Sequence, residues 1–304
     1  MLSEDIFFEW PFFFEVAIGG LLAGVMYSLV ALGFVLIFKA SGVFNFAQGA
    51  MVLFSALTLV GLQEKGLPIW LAILATLAIM ALLAYLIERL VLRPLVNQEH
   101  IILFMATIGI TYFLDGFGQT LWGSEVKILD IGFSNQPGFY FGGKILINDF
   151  DLIAALIAGV LVVSLALFFQ YTRIGRALRA VADDNQAALS VGIPLKHIWV
   201  IVWTVAGVVA LVAGIMWGSK LGVQFSLALI ALKALPVLIL GGFTSVPGAI
   251  VGGLIIGAGE KLAEVFIAPL IGGGIEDWFA YMLALAFLVF RPQGLFGEKI
   301  IERV

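Results

Sequence analysis

Apolar runs of about twenty residues recur along this chain, parted by short stretches of Gly, Pro and charged residues, and this pattern limits the fold more than any motif. A helix needs about 20 apolar residues to cross a hydrocarbon core. Residues 12–38, 44–62, 68–92, 101–122, 151–170, 198–218 and 276–290 meet or approach that length, and residues 225–267 hold about two more passages broken at GGFTSVPGA. The reading is an all-α polytopic membrane protein with about eight or nine transmembrane helices, some broken by Gly or Pro, forming one transmembrane domain over residues 1–304. Composition agrees: at 62% hydrophobic and 12% charged residues, a water-soluble fold would have to cover itself with apolar sequence.

The same composition excludes several functions. A net charge of -4 with scattered cations gives no nucleic-acid surface. The chain has no cysteine and only two histidines, His100 and His197, so disulfides, thiolate metal sites and a histidine metal centre are not expected. The acidic start, MLSEDIFFEWPFF, lacks the basic region and small-residue site of a cleaved signal peptide. There is no G-x-x-x-x-G-K-[ST] loop, H-E-x-x-H or G-x-S-x-G, so the chain is not read as an enzyme. Active transport that is not ion-driven would need ATP hydrolysed by another chain.

Orientation follows from the arginines. Arg89, Arg93, Arg173, Arg176, Arg179, Arg291 and Arg303 fall after span three, in the central loop and in the C-terminal tail. With alternating spans these regions share one side, the cytoplasmic one. The N-terminus and the 123–150 loop are then outside and the C-terminus is cytoplasmic; Lys65, Lys127 and Lys144 lie on the outer side.

Residues 171–196, YTRIGRALRAVADDNQAALSVGIPLK, form the one long polar segment between apolar runs. Arg173, Arg176 and Arg179 share a helical face, Asp183, Asp184 and Asn185 mark a break, and a second short helix stops at Gly192 before Pro194. Such a helix-turn-helix can seat in a cleft of another subunit or anchor to anionic lipid headgroups.

Polar residues within the spans are costly and therefore informative. They are Tyr27, Ser28, Asn45, Gln48, Thr107, Thr111, Tyr112, Asp115, Gln119, Thr204, Lys233, Glu260 and Lys261. Most are neutral, which suits a polar, uncharged or zwitterionic solute. Lys233 and Lys261 read as side chains reaching to the interface, and Asp115 as a carboxylate paired or hydrated near the outer interface. Small residues recur every fourth position at Gly20 and Gly24, at Ala210, Gly214 and Gly218, at Gly248 and Gly252, and at Gly253 and Gly257, spacing that lets helix backbones approach. Two Gly-rich breaks, at residues 42–49 and 241–249, each follow and precede an apolar helix and hint at an internal repeat.

The run from Gly24 to Gly33, followed by Gly42-x-x-Asn45-Phe46-Ala47-Gln48-Gly49, resembles the N-terminal signature of the branched-chain amino acid ABC permeases. Arg176-Ala177-Leu178-Arg179-Ala180 with Asp183, Ala187 and Gly192-Ile193 is similar to their cytoplasmic loop. Leu232-Lys233-Ala234, Leu240-Gly241-Gly242, Ser245, Gly248-Ala249, Gly252-Gly253 and Arg291-Pro292-Gln293-Gly294-Leu295-Phe296-Gly297 extend the match over nearly the whole chain.

The resemblance implies a bacterial inner-membrane importer working by alternating access. It implies a periplasmic solute-binding protein, a second homologous permease pairing as a heterodimer, and two ATPase subunits that hold the ATP and Mg. It also implies ATPase coupling through Arg173, Arg176, Arg179, Asp183, Asp184, Gln186, Ala187, Ala188 and Gly192, with Gln186 standing where the importer pattern E-A-A-x-x-x-G has Glu. Tyr27, Ser28, Asn45, Gln48, Thr107 and Ser245 are the candidates for the solute pathway. The rival readings are an ion-coupled carrier or channel using Asp115, Glu260 and Lys261, and a structural membrane scaffold.

Overall fold

The computed structural model describes residues 10–95, 98–132, 136–140, 142–183 and 185–297. The helices are α1 (Trp10–Ser41), α2 (Gln48–Glu64), α3 (Ile69–Ile87), α4 (His100–Trp122), α5 (Asp149–Tyr171), α6 (Arg173–Asp183), α7 (Asn185–Ser190), α8 (Leu195–Leu221), α9 (Ile230–Gly241), α10 (Val246–Phe266), α11 (Ala268–Ile271) and α12 (Glu276–Phe290). The fold is nearly all-α. Among the described residues five helices, α1, α4, α5, α8 and α3 with its extension to Leu95, are long and apolar enough to cross a membrane, six if the pair bent by 114° at the second Gly-rich break counts as one span. Helix α2, at 17 residues, is shorter than the expected run 44–62, while α12 spans the expected 276–290 and, at 15 residues, falls short of the about 20 that a straight crossing needs.

An all-α reading did not include a hairpin, β1 (Pro137–Tyr140) paired antiparallel with β2 (Ile145–Asn148). Gly142 and Gly143 turn it with φ of 72° and 85°, which a side chain would resist. Tyr140 Oη donates to Asp149 Oδ1 at 2.6 Å, and this bond raises the Tyr140 phenol above its ordinary pKa. Helix α1 runs past the apolar run ending at residue 38 as far as Ser41, and Gly42 then turns at φ 68°.

The chain divides into two compact units. The first comprises Met1–Ala31, Gly132–Val162 and Lys233–Val304, and the second Leu32–Ile131 and Val163–Leu232. Helix α2 is the centre of the second unit: Gln48 to Gly61 is buried on every side, as expected of a helix apolar all round. It packs on α8, α4 and α3. The approach to α8 uses Gly214, where an added Cβ would lie 2.8 Å from the Val52 carbonyl oxygen. Helices α3, α4 and α5 turn large apolar side chains outward, among them Leu74, Leu82, Tyr112, Phe113, Leu156 and Val163. Exposed apolar faces of this extent mark a multi-pass membrane protein.

In the first unit the Gly20 and Gly24 pair of α1 meets the Gly253 and Gly257 pair of α10. A Cβ at Gly20 would come 2.7 Å from the Gly257 carbonyl oxygen, and one at Gly24 would lie 3.0 Å from Leu254 Cα. Both obstacles are backbone, so the helices must separate to admit a methyl group. Gly19, next in sequence, has nothing within 4 Å of an added Cβ. Gly24→Ala should therefore cost about 1–3 kcal/mol and lower the thermal midpoint of the purified protein, while Gly19→Ala should leave it unchanged. Equal midpoints for the two variants would contradict the close helix contact.

Candidate functional site

In the second unit the first break, residues 42–47, separates α1 from α2. Asn45 is fully buried; its Oδ1 accepts from the Ala47 N–H at 3.1 Å and its Nδ2 lies 3.9 Å from Met51 Sδ. The Phe46 N–H donates to Thr107 Oγ1 on α4 at 3.2 Å, and that hydroxyl donates back to the Phe104 carbonyl at 2.8 Å. Gln48, the first residue of α2, is also fully buried. Its Nε2 donates to the Ala206 carbonyl at 3.4 Å, whereas its Oε1 has no partner among the described residues. Gly33 makes room for it, since a Cβ there would sit 2.5 Å from Gln48 Nε2. Asn45, Gln48 and Thr107 are thus brought together, as the polar lining of a helix break.

Tyr27, Ser28 and Ser245 belong to the first unit. Ser28 Oγ donates to the Gly24 carbonyl at 2.8 Å, and Ser245 caps α10 by accepting from the Gly248 N–H at 3.0 Å. Tyr27 Oη donates to Glu260 Oε1 at 3.2 Å. That carboxylate is the buried end of a charge cluster. Lys233 Nζ lies 3.1 Å from Glu260 and 2.9 Å from Glu276, and Lys261 Nζ lies 3.4 Å from Glu276. Glu264 Oε2 accepts from the backbone N–H groups of Ile275 and Glu276, at 3.1 and 2.9 Å, and so caps α12. Lys233 and Lys261 therefore do not simply reach for the interface. Burial of Glu260 makes an internal counter-ion worth more than hydration. Glu264 and Glu276 lie far from Lys233 in sequence, so spacing gave no signal of this cluster.

A second ion pair escaped notice for a different reason. Glu88, buried at the end of α3, is held by Arg93 through a bidentate contact of 3.1 and 2.8 Å. Glu88–Leu92 is a π-helical turn. Its wider winding brings residues five apart into line, a spacing that an α-helical reading does not pair.

The central segment folds as the sequence predicts. Helix α6 is strongly amphipathic, with Leu178 and Val181 buried and Arg173 and Arg176 exposed. Arg179 acts locally, its guanidinium donating to the carbonyls of Phe169 and Gln170, both at 3.2 Å, at the C-terminal end of α5. Helix α7 ends with Gly192 at φ 85° and the Ile193 N–H donating to the Ala188 carbonyl at 3.0 Å. Ala188 is buried and Ala187 exposed, and Leu189 and Val191 are exposed at the tip, 51% and 74%. Asp184 and Arg303 lie outside the described residues, as do the side chains of Asp183 and Gln186.

Asp115, on α4, has an Oδ1 that is buried and without a hydrogen bond among the described residues. Among the described residues no group of His, Cys, Asp or Glu is arranged to hold a metal ion.

The sequence matches known proteins along nearly its full length. The family model described as "Branched-chain amino acid transport system / permease component" matches residues 16–291. The high-affinity branched-chain amino acid transport system permease protein BraD of Pseudomonas aeruginosa is 29% identical over 308 residues, covering 96% of this chain and 98% of that protein. LivH of Salmonella typhimurium, described in the same terms, is 26% identical and covers 97% and 99%. The fructose import permease protein FruG of Bifidobacterium longum is 24% identical over 82% of this chain and 74% of its own length. Helix breaks, glycine contacts and the exposed α6–α7 tip all fall within the matched region, and the chain belongs to the family of branched-chain amino acid transport permease components.

Proposed function

We propose that the chain is the membrane-spanning subunit of an ATP-driven importer in a bacterial inner membrane, carrying branched-chain amino acids or a related small polar solute. Partners in this reading are a second homologous permease, two ATPase subunits holding ATP and Mg, and a periplasmic solute-binding protein. The observation behind it, beside the family membership, is the α6–α7 tip. Leu189 and Val191 are apolar and exposed, and Arg173 and Arg176 are exposed too, on a helical pair anchored by Leu178, Val181 and Ala188. Exposed apolar and cationic side chains on one helical pair suit a cleft in a soluble subunit. Val191 and Leu189 join Arg173, Arg176, Asp183, Asp184, Gln186, Ala187 and Gly192 in that contact, while Arg179 and Ala188 hold the helices in place.

We further propose nine crossings, by α1, α2, α3, α4, α5, α8, α9, α10 and α12, with the N-terminus outside and the C-terminus cytoplasmic. Contacts within each unit favour this alternation. In the second unit the Trp199 indole donates to the Ala40 carbonyl at 3.2 Å, joining the start of α8 to the end of α1. At its other end Lys127 pairs with Glu64, Lys65 sits 4.6 Å over the Trp122 ring, and Lys127 and Val223 exchange backbone hydrogen bonds. In the first unit the Leu295 N–H donates to the Leu240 carbonyl at 2.8 Å, so the tail after α12 returns to the end of α9. Helices α9 and α12 then run in the same direction, with α10 opposed. The pathway proposal keeps Asn45, Gln48 and Thr107 of the second unit and Tyr27, Ser28 and Ser245 of the first as its polar groups, with Gln48 Oε1 offering a lone pair that no described residue takes up.

Ion coupling is the less favoured reading, because two of its three candidate carriers, Glu260 and Lys261, are engaged with Lys233 and Glu276, which leaves it Asp115 alone. Two outcomes are expected. Val191→Asp or Ala187→Asp should reduce ATPase subunits copurifying with the tagged complex roughly tenfold or more, the size of losing one interface anchor of about 2 kcal/mol; undiminished copurification would contradict the docking role. Lys233→Met alone should destabilise the protein by about 3–5 kcal/mol by leaving Glu260 unpaired. Lys233→Met with Glu260→Gln should restore folding and ATP-dependent uptake, measured in vesicles; a folded double variant without uptake would point back to ion coupling.

A further inference from the structure

At the end of the second unit where Glu64 and Trp122 lie, a cleft of about 230 Å³ opens between α2, α4 and the segment ahead of α9. Leu53 and Leu57 of α2 and Phe225 give it apolar walls, and Gln119, Glu125 and Gln224 give it polar ones. Drug-sized ligands occupy roughly 300–1,000 Å³, so this volume suits something smaller.

The walls are held in place. Backbone hydrogen bonds between Lys127 and Val223, 3.0 and 2.8 Å, fix the segment of Glu125 beside that of Gln224 and Phe225. Lys127 is itself tied to Glu64. Across the cleft floor, a Cβ at Gly118 of α4 would be 3.3 Å from Phe54 and 3.4 Å from Leu57, so α4 lies close on α2.

One carboxylate of the lining and one beside it favour a cationic group. Glu125 is exposed at the cleft and is in no ion pair among the described residues. One helical turn from Gln119 stands Asp115, whose Oδ1 is buried without a partner. An unpaired carboxylate within a membrane helix is costly and marks a place where a cation can pass or bind. Asp115 and Gln119 also continue a polar row on α4, Thr107, Thr111, Asp115 and Gln119, each four residues from the next. The row leads from the break at Asn45 and Gln48 to this cleft. Glutamine amides complete the set, since each has two N–H donors for a carboxylate.

We propose that the cleft is a recognition site for a small zwitterion with an aliphatic side chain. Glu125 makes the first contact with its ammonium group and Asp115 the next, Gln119 and Gln224 donate to its carboxylate, and Leu53, Leu57 and Phe225 accept its side chain. This assignment rests on the importer reading and its orientation.

The chain contains no cysteine, so single substitutions report on the cleft directly. Gln119→Cys, Gln224→Cys and, as a control, Ile128→Cys at a position 87% exposed, would be made in the complete transporter complex. Modification by a cationic methanethiosulfonate would be followed by mass on this chain, with and without free leucine. Leucine is expected to slow modification of Gln119→Cys and Gln224→Cys about tenfold at saturation while sparing Ile128→Cys. The deaminated analogue 4-methylpentanoate should give no protection, and adding Glu125→Gln should raise the leucine concentration required about tenfold.

Equal protection by 4-methylpentanoate would overturn the ammonium contact. Equal protection of Ile128→Cys would show a general closure of the surface and overturn the site. No protection in a preparation that imports leucine with ATP would overturn the cleft alone. A preparation importing none of leucine, valine or alanine with ATP would overturn the amino-acid importer reading on which the site rests.

Discussion

Hydrocarbon offers no hydrogen bonds, so each polar group at membrane depth must find a partner within the protein. That constraint accounts for the details on which this fold depends. Where α1 gives way to α2, the freed backbone is met by Asn45 and Thr107. Where α9 gives way to α10, Ser245 caps the new helix and the tail at Leu295 pairs with the Leu240 carbonyl. The end of α5 is met by Arg179. The charges follow the same rule: Glu88 has Arg93, and Glu260 has Lys233 and Tyr27. With polar groups satisfied, association is left to close packing, and the glycine faces of α1 with α10 and of α8 with α2 supply it.

Against this background the exceptions acquire meaning. Gln48 Oε1 and Asp115 Oδ1 are buried without a hydrogen bond among the described residues, as are the side-chain hydroxyls of Thr58 and Ser219, the Trp122 indole N–H and Glu260 Oε2. Of these, Gln48 and Asp115 lie near the polar row of α4, where a free lone pair could meet a passing solute. The charge cluster on α9, α10 and α12 is the opposite case. Lys233 joins Glu260 Oε1 to Glu276, and Lys261 joins Glu276, which suits fixing helices rather than moving ions.

Much of this was legible in the sequence because it rests on local rules. Twenty-residue apolar runs located most of the helices, and Gly192 before Pro194 marked the end of α7. Spacing of four picked out Gly20, Gly24, Gly253 and Gly257, although it could not say that these two pairs meet, since small-residue spacing names a face and not its partner. Long-range pairing was out of reach for the same reason: nothing near Lys233 announces Glu276. Glu88 with Arg93 needed a π turn, and the β1–β2 hairpin needed the turn at Gly142 and Gly143. Asn45 was recognised as notable, yet only its hydrogen bond to the Ala47 N–H reveals its place in shaping the break.

The central claim is that this chain moves its solute by coupling to ATP hydrolysis on another subunit. The most direct measurement is uptake of labelled leucine into proteoliposomes holding the complete complex, with the binding protein outside and ATP enclosed. The account predicts uptake only when both are present, unchanged when proton and sodium gradients are collapsed. Uptake by this chain alone, without ATP and lost with the ion gradient, would contradict it.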